Sequence, residues 1–165
     1  MIVVALCLLP GISHAQNILV FGDSLSAGYG VPRETAWVSL LQQQLQRSHP
    51  QYRVINASIS GETTSGGVQR MAAALRQHQP AIVIIELGAN DGLRGTPLKV
   101  TETNLDTLIR QAKAAKSKVL LLGMQLPPNY GADYTTRFRT LYTSLAQRHQ
   151  VALVLFMLEG VGAAQ

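Results

Sequence analysis

Cysteine is almost absent from this chain of 165 residues: the one thiol, Cys7, lies inside the first apolar stretch. A single cysteine excludes an internal disulfide framework and thiolate metal clusters, and its surroundings give no sign of a catalytic thiol. Aromatic residues are scarce at 5% and charged residues at 14%, with only nine Asp and Glu in all. The net charge of +5 would suit an acidic partner, yet the Lys and Arg residues are scattered and lack interleaved aromatics, which argues against nucleic-acid binding. No HExxH pattern or Cys/His ligand spacing occurs, so no metal is expected. Residues 28 to 33 do not complete GxGxxG, so no nucleotide cofactor is expected either, and residues 22 to 26 lack the last glycine of the GxSxG nucleophile turn. No apolar run is long enough to span a bilayer as a helix, which leaves no transmembrane anchor to expect.

What is present reads as one globular domain. The hydrophobic content of 47% is enough for a core, and no repeat, low-complexity tract or long linker divides the chain. Ile2 to Leu9 followed by Ser13-His14-Ala15 reads as an export signal, although no Lys or Arg precedes it. Residues 1–15 are then a signal peptide and 16–165 the folded domain, working in the periplasm or outside the cell, with a monomer as the expected state.

Apolar periodicity alternates along the rest. Ile18 to Phe21 suits a strand, and Trp37, Leu40, Leu41 and Leu45 mark a helix over about 35–48. Tyr52 to Asn56 reads as a strand, and Val68, Met71, Ala72 and Leu75 as a helix ended by Pro80. Ala81 to Leu87 is a nearly unbroken apolar run that suits a central strand buried on both faces. Leu105, Leu108, Ile109 and Ala112 mark a helix before the strand Lys118 to Met124. Phe138, Leu141, Tyr142 and Leu145 mark another before the strand Val151 to Phe156. The pattern predicts an α/β fold, a three-layer sandwich around a five-stranded parallel sheet. Ligands of such sheets bind beyond the carboxyl ends of the strands. Ser24, Gly61 and Asn90 follow the first, second and third strands, so three loops converge on that edge.

The stretch Phe-Gly-Asp-Ser-Leu-Ser (21 to 26) can bend at Gly22 and present the Ser24 hydroxyl at the strand's end, as a nucleophile requires. Together with Asn56-Ala57-Ser58-Ile59-Ser60-Gly61-Glu62-Thr63 and Gly88-Ala89-Asn90-Asp91, it resembles the first three ordered blocks of the SGNH (GDSL) hydrolase superfamily. Asn-Asp-Gly-Leu-Arg-Gly (90 to 95) and Leu-Pro-Pro-Asn-Tyr-Gly (126 to 131) are similar to the bacterial thioesterase I, lysophospholipase and arylesterase group. The resemblance implies a flavodoxin-like fold and a serine hydrolase of esters or thioesters. In that family Ser24 would be the nucleophile, with the N–H groups of Ser24 and Gly61 and the Asn90 side-chain amide forming an oxyanion hole. Asp23 and Asp91 read as loop-orienting carboxylates. Pro127, Pro128, Asn129, Tyr130 and Gly131 would form a mobile loop beside an acyl chain, and the substrate would be a small ester or thioester whose acyl chain length dominates specificity.

The family's Asp-x-x-His block, which supplies the base, occurs nowhere in the chain. His49, His78 and His149 precede strands and belong at the amino edge, roughly 17–20 Å from Ser24. The resemblance therefore implies a chain short of its last helix and an enzyme impaired as it stands. An inert acyl-chain or lipid binder on the same scaffold and a carbohydrate deacetylase stay open as alternatives.

Overall fold

The structure is a computed structural model that describes residues 16–161; the expected signal over 1–15 lies outside them. Five parallel strands form one sheet: β1 (Gln16–Gly22), β2 (Tyr52–Asn56), β3 (Ile82–Glu86), β4 (Lys118–Leu122) and β5 (Ala152–Val154), in the order β2-β1-β3-β4-β5. Helices α1 (Ser24–Ala27), α2 (Trp37–Ser48), α3 (Thr64–His78), α4 (Ala89–Leu93), α5 (Leu98–Ala114) and α6 (Ala132–His149) lie between them. The α/β sandwich anticipated from the sequence is the observed architecture.

The strands are apolar on both sides because both sides are covered. On one face Leu19, Phe21, Val83, Ile85, Val119 and Leu121 meet Met71 and Leu75 of α3, Leu105 and Leu108 of α5, and Phe138 and Leu145 of α6. On the other, Ile18, Val20, Ile84 and Leu122 meet Val38, Leu41 and Leu45 of α2. Successive residues alternate between these two clusters, as the two-residue period of a strand dictates. Among the described residues α2 is the one long helix on the second face, and Ile82 and Leu120 there are half-buried.

Two expectations need correction. The last strand, expected over Val151 to Phe156, pairs only from Ala152 to Val154. Its partner β4 ends at Leu122, and from Gly123 onward the bonds Gly123 N–H to Val154 O (2.8 Å) and Met157 N–H to Gly123 O (3.0 Å) fold the chain into a turn. The short helices α1 and α4, each a single turn, were not anticipated, because one turn offers no periodicity to read. Asp23 starts α1 by accepting the Leu25 N–H at 3.0 Å, and Gly28 ends it at φ 78°.

Leu108 is fully buried between α5 and the sheet, whereas Leu40 on α2 is half exposed. Leu108→Ala is expected to cost about 2–5 kcal/mol of unfolding free energy in urea titrations, and Leu40→Ala well under 1 kcal/mol. Equal costs would contradict this assignment of the core.

Candidate active site

The three loops beyond the carboxyl ends of β1, β2 and β3 are stitched together by hydrogen bonds. Past β2 the chain stays beside β1, with the Ala57 N–H donating to Val20 O (2.8 Å) and the Ile59 N–H to Gly22 O (3.0 Å). The Asn56 side-chain amide also donates to Ser26 O (2.7 Å). The third loop reaches both others through one group, since Asn90 Nδ2 donates to Asp23 Oδ2 and to Glu62 O, each at 3.0 Å. Two oxygen acceptors at one atom identify it as the nitrogen of the amide. Ser24 and Gly61 each stand one residue from an atom bonded to Asn90. The structure thus brings together the three residues singled out in the sequence.

Ser24 is half-buried at the first turn of α1. Among the described residues its hydroxyl has no hydrogen-bond partner, and neither its N–H nor that of Gly61 has an acceptor. Gly61 sits at φ 77°, a left-handed conformation that side chains disfavour, and Arg94 Nη2 donates to its carbonyl at 3.2 Å. The edge therefore presents a nucleophilic oxygen, two free backbone donors and an amide held beside them.

The two aspartates orient the loops, each by its own contacts. Asp23 is buried and accepts from Leu25 N–H and Asn90 Nδ2. Asp91, also buried, accepts from the Thr64 N–H (2.9 Å) and the Thr64 hydroxyl (2.6 Å), at the start of α3 where a negative charge is favoured. Glu62 pairs with Arg70, whose guanidinium lies 3.8 Å over the Phe21 ring and donates to Ala57 O (2.6 Å), bracing the Gly61 loop.

Tyr130 ties the 127–131 loop to this edge by donating its hydroxyl to Leu93 O (3.1 Å). Pro128–Tyr130 form a 3-10 turn, Gly131 sits at φ 90°, and Pro127, Pro128 and Asn129 are exposed. Leu126 anchors the loop under α4, where a Cβ on Gly92 would lie 2.6 Å from it.

The described histidines stand at the other edge. His78 ends α3, and its carbonyl accepts from Asn17 at the start of β1 (2.6 Å). His49 follows α2 just before β2. His149 ends α6, with Nε2 2.7 Å from Asp106 of α5. The seven residues of β1 separate this edge from Ser24 by about 20 Å. No group of three His, Cys, Asp or Glu among the described residues is placed to hold a metal ion.

Sequence reasoning missed Glu86, at the end of β3 and fully buried. Its Oε2 accepts from the Ser26 hydroxyl (2.7 Å) and the Asp23 N–H (3.2 Å). It also explains Gly22, its neighbour across the β1–β3 ladder, where a Cβ would lie 2.6 Å from Oε2. A lone acid inside the apolar run 81–87 was the available signal. Burial, and next the charge of Asp23, push the Glu86 carboxyl up to about 8, and burial raises Asp23 as well.

A raised carboxyl has a consequence for stability. Folded, Glu86 keeps its proton until about pH 8, whereas in the unfolded chain it loses it near 4.5. Between these values the folded state binds more protons, so stability falls as pH rises. Urea midpoints measured from about pH 5 to 8 are expected to fall in the parent and to fall less in Glu86→Gln. Identical slopes would remove Glu86 as the cause.

A sequence profile of the GDSL-like lipase/acylhydrolase family matches residues 20–164. The esterase TesA of Pseudomonas aeruginosa is 49% identical over 161 residues, covering 98% of this chain and 80% of that protein. Thioesterase 1/protease 1/lysophospholipase L1 of Escherichia coli is 44% identical over 89% of this chain and 69% of its own length. The crystal structure of AlinE4, an SGNH-hydrolase family esterase, superposes with a TM-score of 0.86 at 40% identity, covering 91% of this chain and 80% of that one.

Proposed function

Because the chain belongs to the GDSL-like lipase/acylhydrolase family, whose relatives include named esterases and thioesterases, we propose that it cleaves carboxylic esters or thioesters through an acyl-enzyme on Ser24. The observation that carries this reading is the Ser24 hydroxyl beside two N–H groups that have no acceptor among the described residues and a fixed amide.

Ser24 Oγ attacks the acyl carbon, and the carbonyl π electrons move onto oxygen. The N–H groups of Ser24 and Gly61 and the Asn90 amide receive that oxyanion; the two backbone donors, without acceptors among the described residues, need no reorganisation when the charge develops. Collapse breaks the C–O or C–S bond, the alcohol or thiol leaves with a proton, and the acyl group stays on Ser24. Water then adds to the acyl carbon through a second oxyanion and releases the acid with Ser24 regenerated. Asn90 is engaged by Asp23 and Glu62 O, so the oxyanion must share or take one of its hydrogens.

Both proton transfers call for a base, and each described histidine stands at the far edge of the sheet. A positioned acid–base group contributes about 10²–10⁴-fold to rate, and none of the described histidines stands where it could supply that contribution to Ser24. The loop at 127–131 favours selection by acyl chain length, and the stretch Ile2 to Ala15 favours export to the periplasm or beyond.

Hydrolysis of p-nitrophenyl acetate and decanoate by the parent and Ser24→Ala tests the reading. Slow turnover is expected in the parent, sensitive to chain length and lost in Ser24→Ala. Turnover identical in the two proteins would overturn it. Undiminished fatty-acid binding by Ser24→Ala, with no parent turnover, would favour an inert acyl-chain binder instead.

A further inference from the structure

We propose that Glu86 is a positioning residue: buried under the β1–α1 turn with no cation beside it among the described residues, it anchors Asp23 and through Asp23 holds the Asn90 amide beside Ser24. This inference rests on the reading of Asn90 as an oxyanion donor for its significance, and on the geometry below for its content.

The Glu86 carboxyl is buried at the point where β1 turns into α1. One oxygen takes the Ser26 hydroxyl and the Asp23 N–H, which fixes the turn on both sides of Ser24. The other oxygen, Oε1, is buried and has no partner in the hydrogen-bond network. The Asp23 N–H donates to Glu86 at 3.2 Å, so two buried acids meet at one turn. Neither has a salt-bridge partner among the described residues. Two ionised carboxylates at one turn, buried and without a cation, repel, so the pair is buried at lower cost with one proton than with none.

Other ionisable groups near the pair make ionisation harder still. Asp91 of α4 adds negative charge toward Asp23, whereas Tyr142 of α6 is a buried phenol that donates to Leu87 O and brings no charge to the pair. Ser26 of α1 donates to Glu86 and is the nearest source of relief. Asp23 is the one link between Glu86 and Asn90: it offers Oδ1 to Leu25 and Oδ2 to Asn90. When Glu86 loses its proton, Asp23 is driven away from it, and Asn90 loses one of the two acceptors that set its position. In the protonated state Glu86 is uncharged like a glutamine, which could also accept from the Ser26 hydroxyl and the Asp23 N–H through one oxygen.

The Asn90 side-chain amide can be observed directly, without turnover. In 1H–15N correlation spectra of the 165-residue chain, the two Asn90 Nδ2–H peaks, assigned through loss in Asn90→Ala, are expected to shift between about pH 6 and 10 with a midpoint near 8. In Glu86→Gln they are expected to stay near their low-pH parent positions throughout. Peaks that do not move in the parent, or that move with the same midpoint in Glu86→Gln, would overturn the proposal. The parent titration decides the matter even if Glu86→Gln folds poorly. Phosphonylation of Ser24 reports separately on the nucleophile: a missing adduct together with a titrating Asn90 amide supports this inference while counting against the esterase reading.

Discussion

One side-chain amide joins the three loops on which this site is built. Asn90 donates to the β1–α1 turn through Asp23 and to the β2–α3 loop through the Glu62 carbonyl. Its own position follows from the end of β3, the central strand, whose apolar residues are buried on both faces. The parallel sheet brings the carboxyl ends of its strands to one edge, and the Asn90 bonds add to those of Asn56, Ile59 and Arg94 in holding the loops of Ser24 and Gly61 together.

Beneath this amide lies a second constraint, the protonated carboxyl of Glu86. A fully apolar residue at this position would be simpler to bury, but it would leave the Ser26 hydroxyl and the Asp23 N–H without their acceptor. The same carboxyl requires glycine at position 22, so the Gly-Asp-Ser sequence is shaped from below by Glu86 as well as from above by the needs of a nucleophile. Asp91 works similarly on the next loop, capping α3 through Thr64. Structural carboxylates thus surround the serine, and none of them reaches it as a base.

Most of the architecture was legible because apolar runs and helical spacing repeat over long segments. Tyr52 to Asn56 is a strand with the expected bounds, and Trp37, Leu41 and Leu45 face the sheet from α2. The shortened β5 was hidden, since where a strand stops depends on where its neighbour stops. At the site, the adjacency of Ser24, Gly61 and Asn90 could be inferred from loops sharing one edge. The bonds of Asp23 to Asn90 and of Asp91 to Thr64 could not, the partners being 67 and 27 residues away in sequence. Glu86 was concealed within the run that best identified the central strand. A single acid there reads as a strand end until its neighbours in space are known.

The most direct test of the account is the structure of the protein after complete reaction with an alkyl fluorophosphonate. The expected adduct joins phosphorus to Ser24 Oγ, with the phosphoryl oxygen about 3 Å from the nitrogens of Ser24, Gly61 and the Asn90 side chain. An adduct on another residue, or one on Ser24 whose oxygen points away from Gly61 and Asn90, would contradict it.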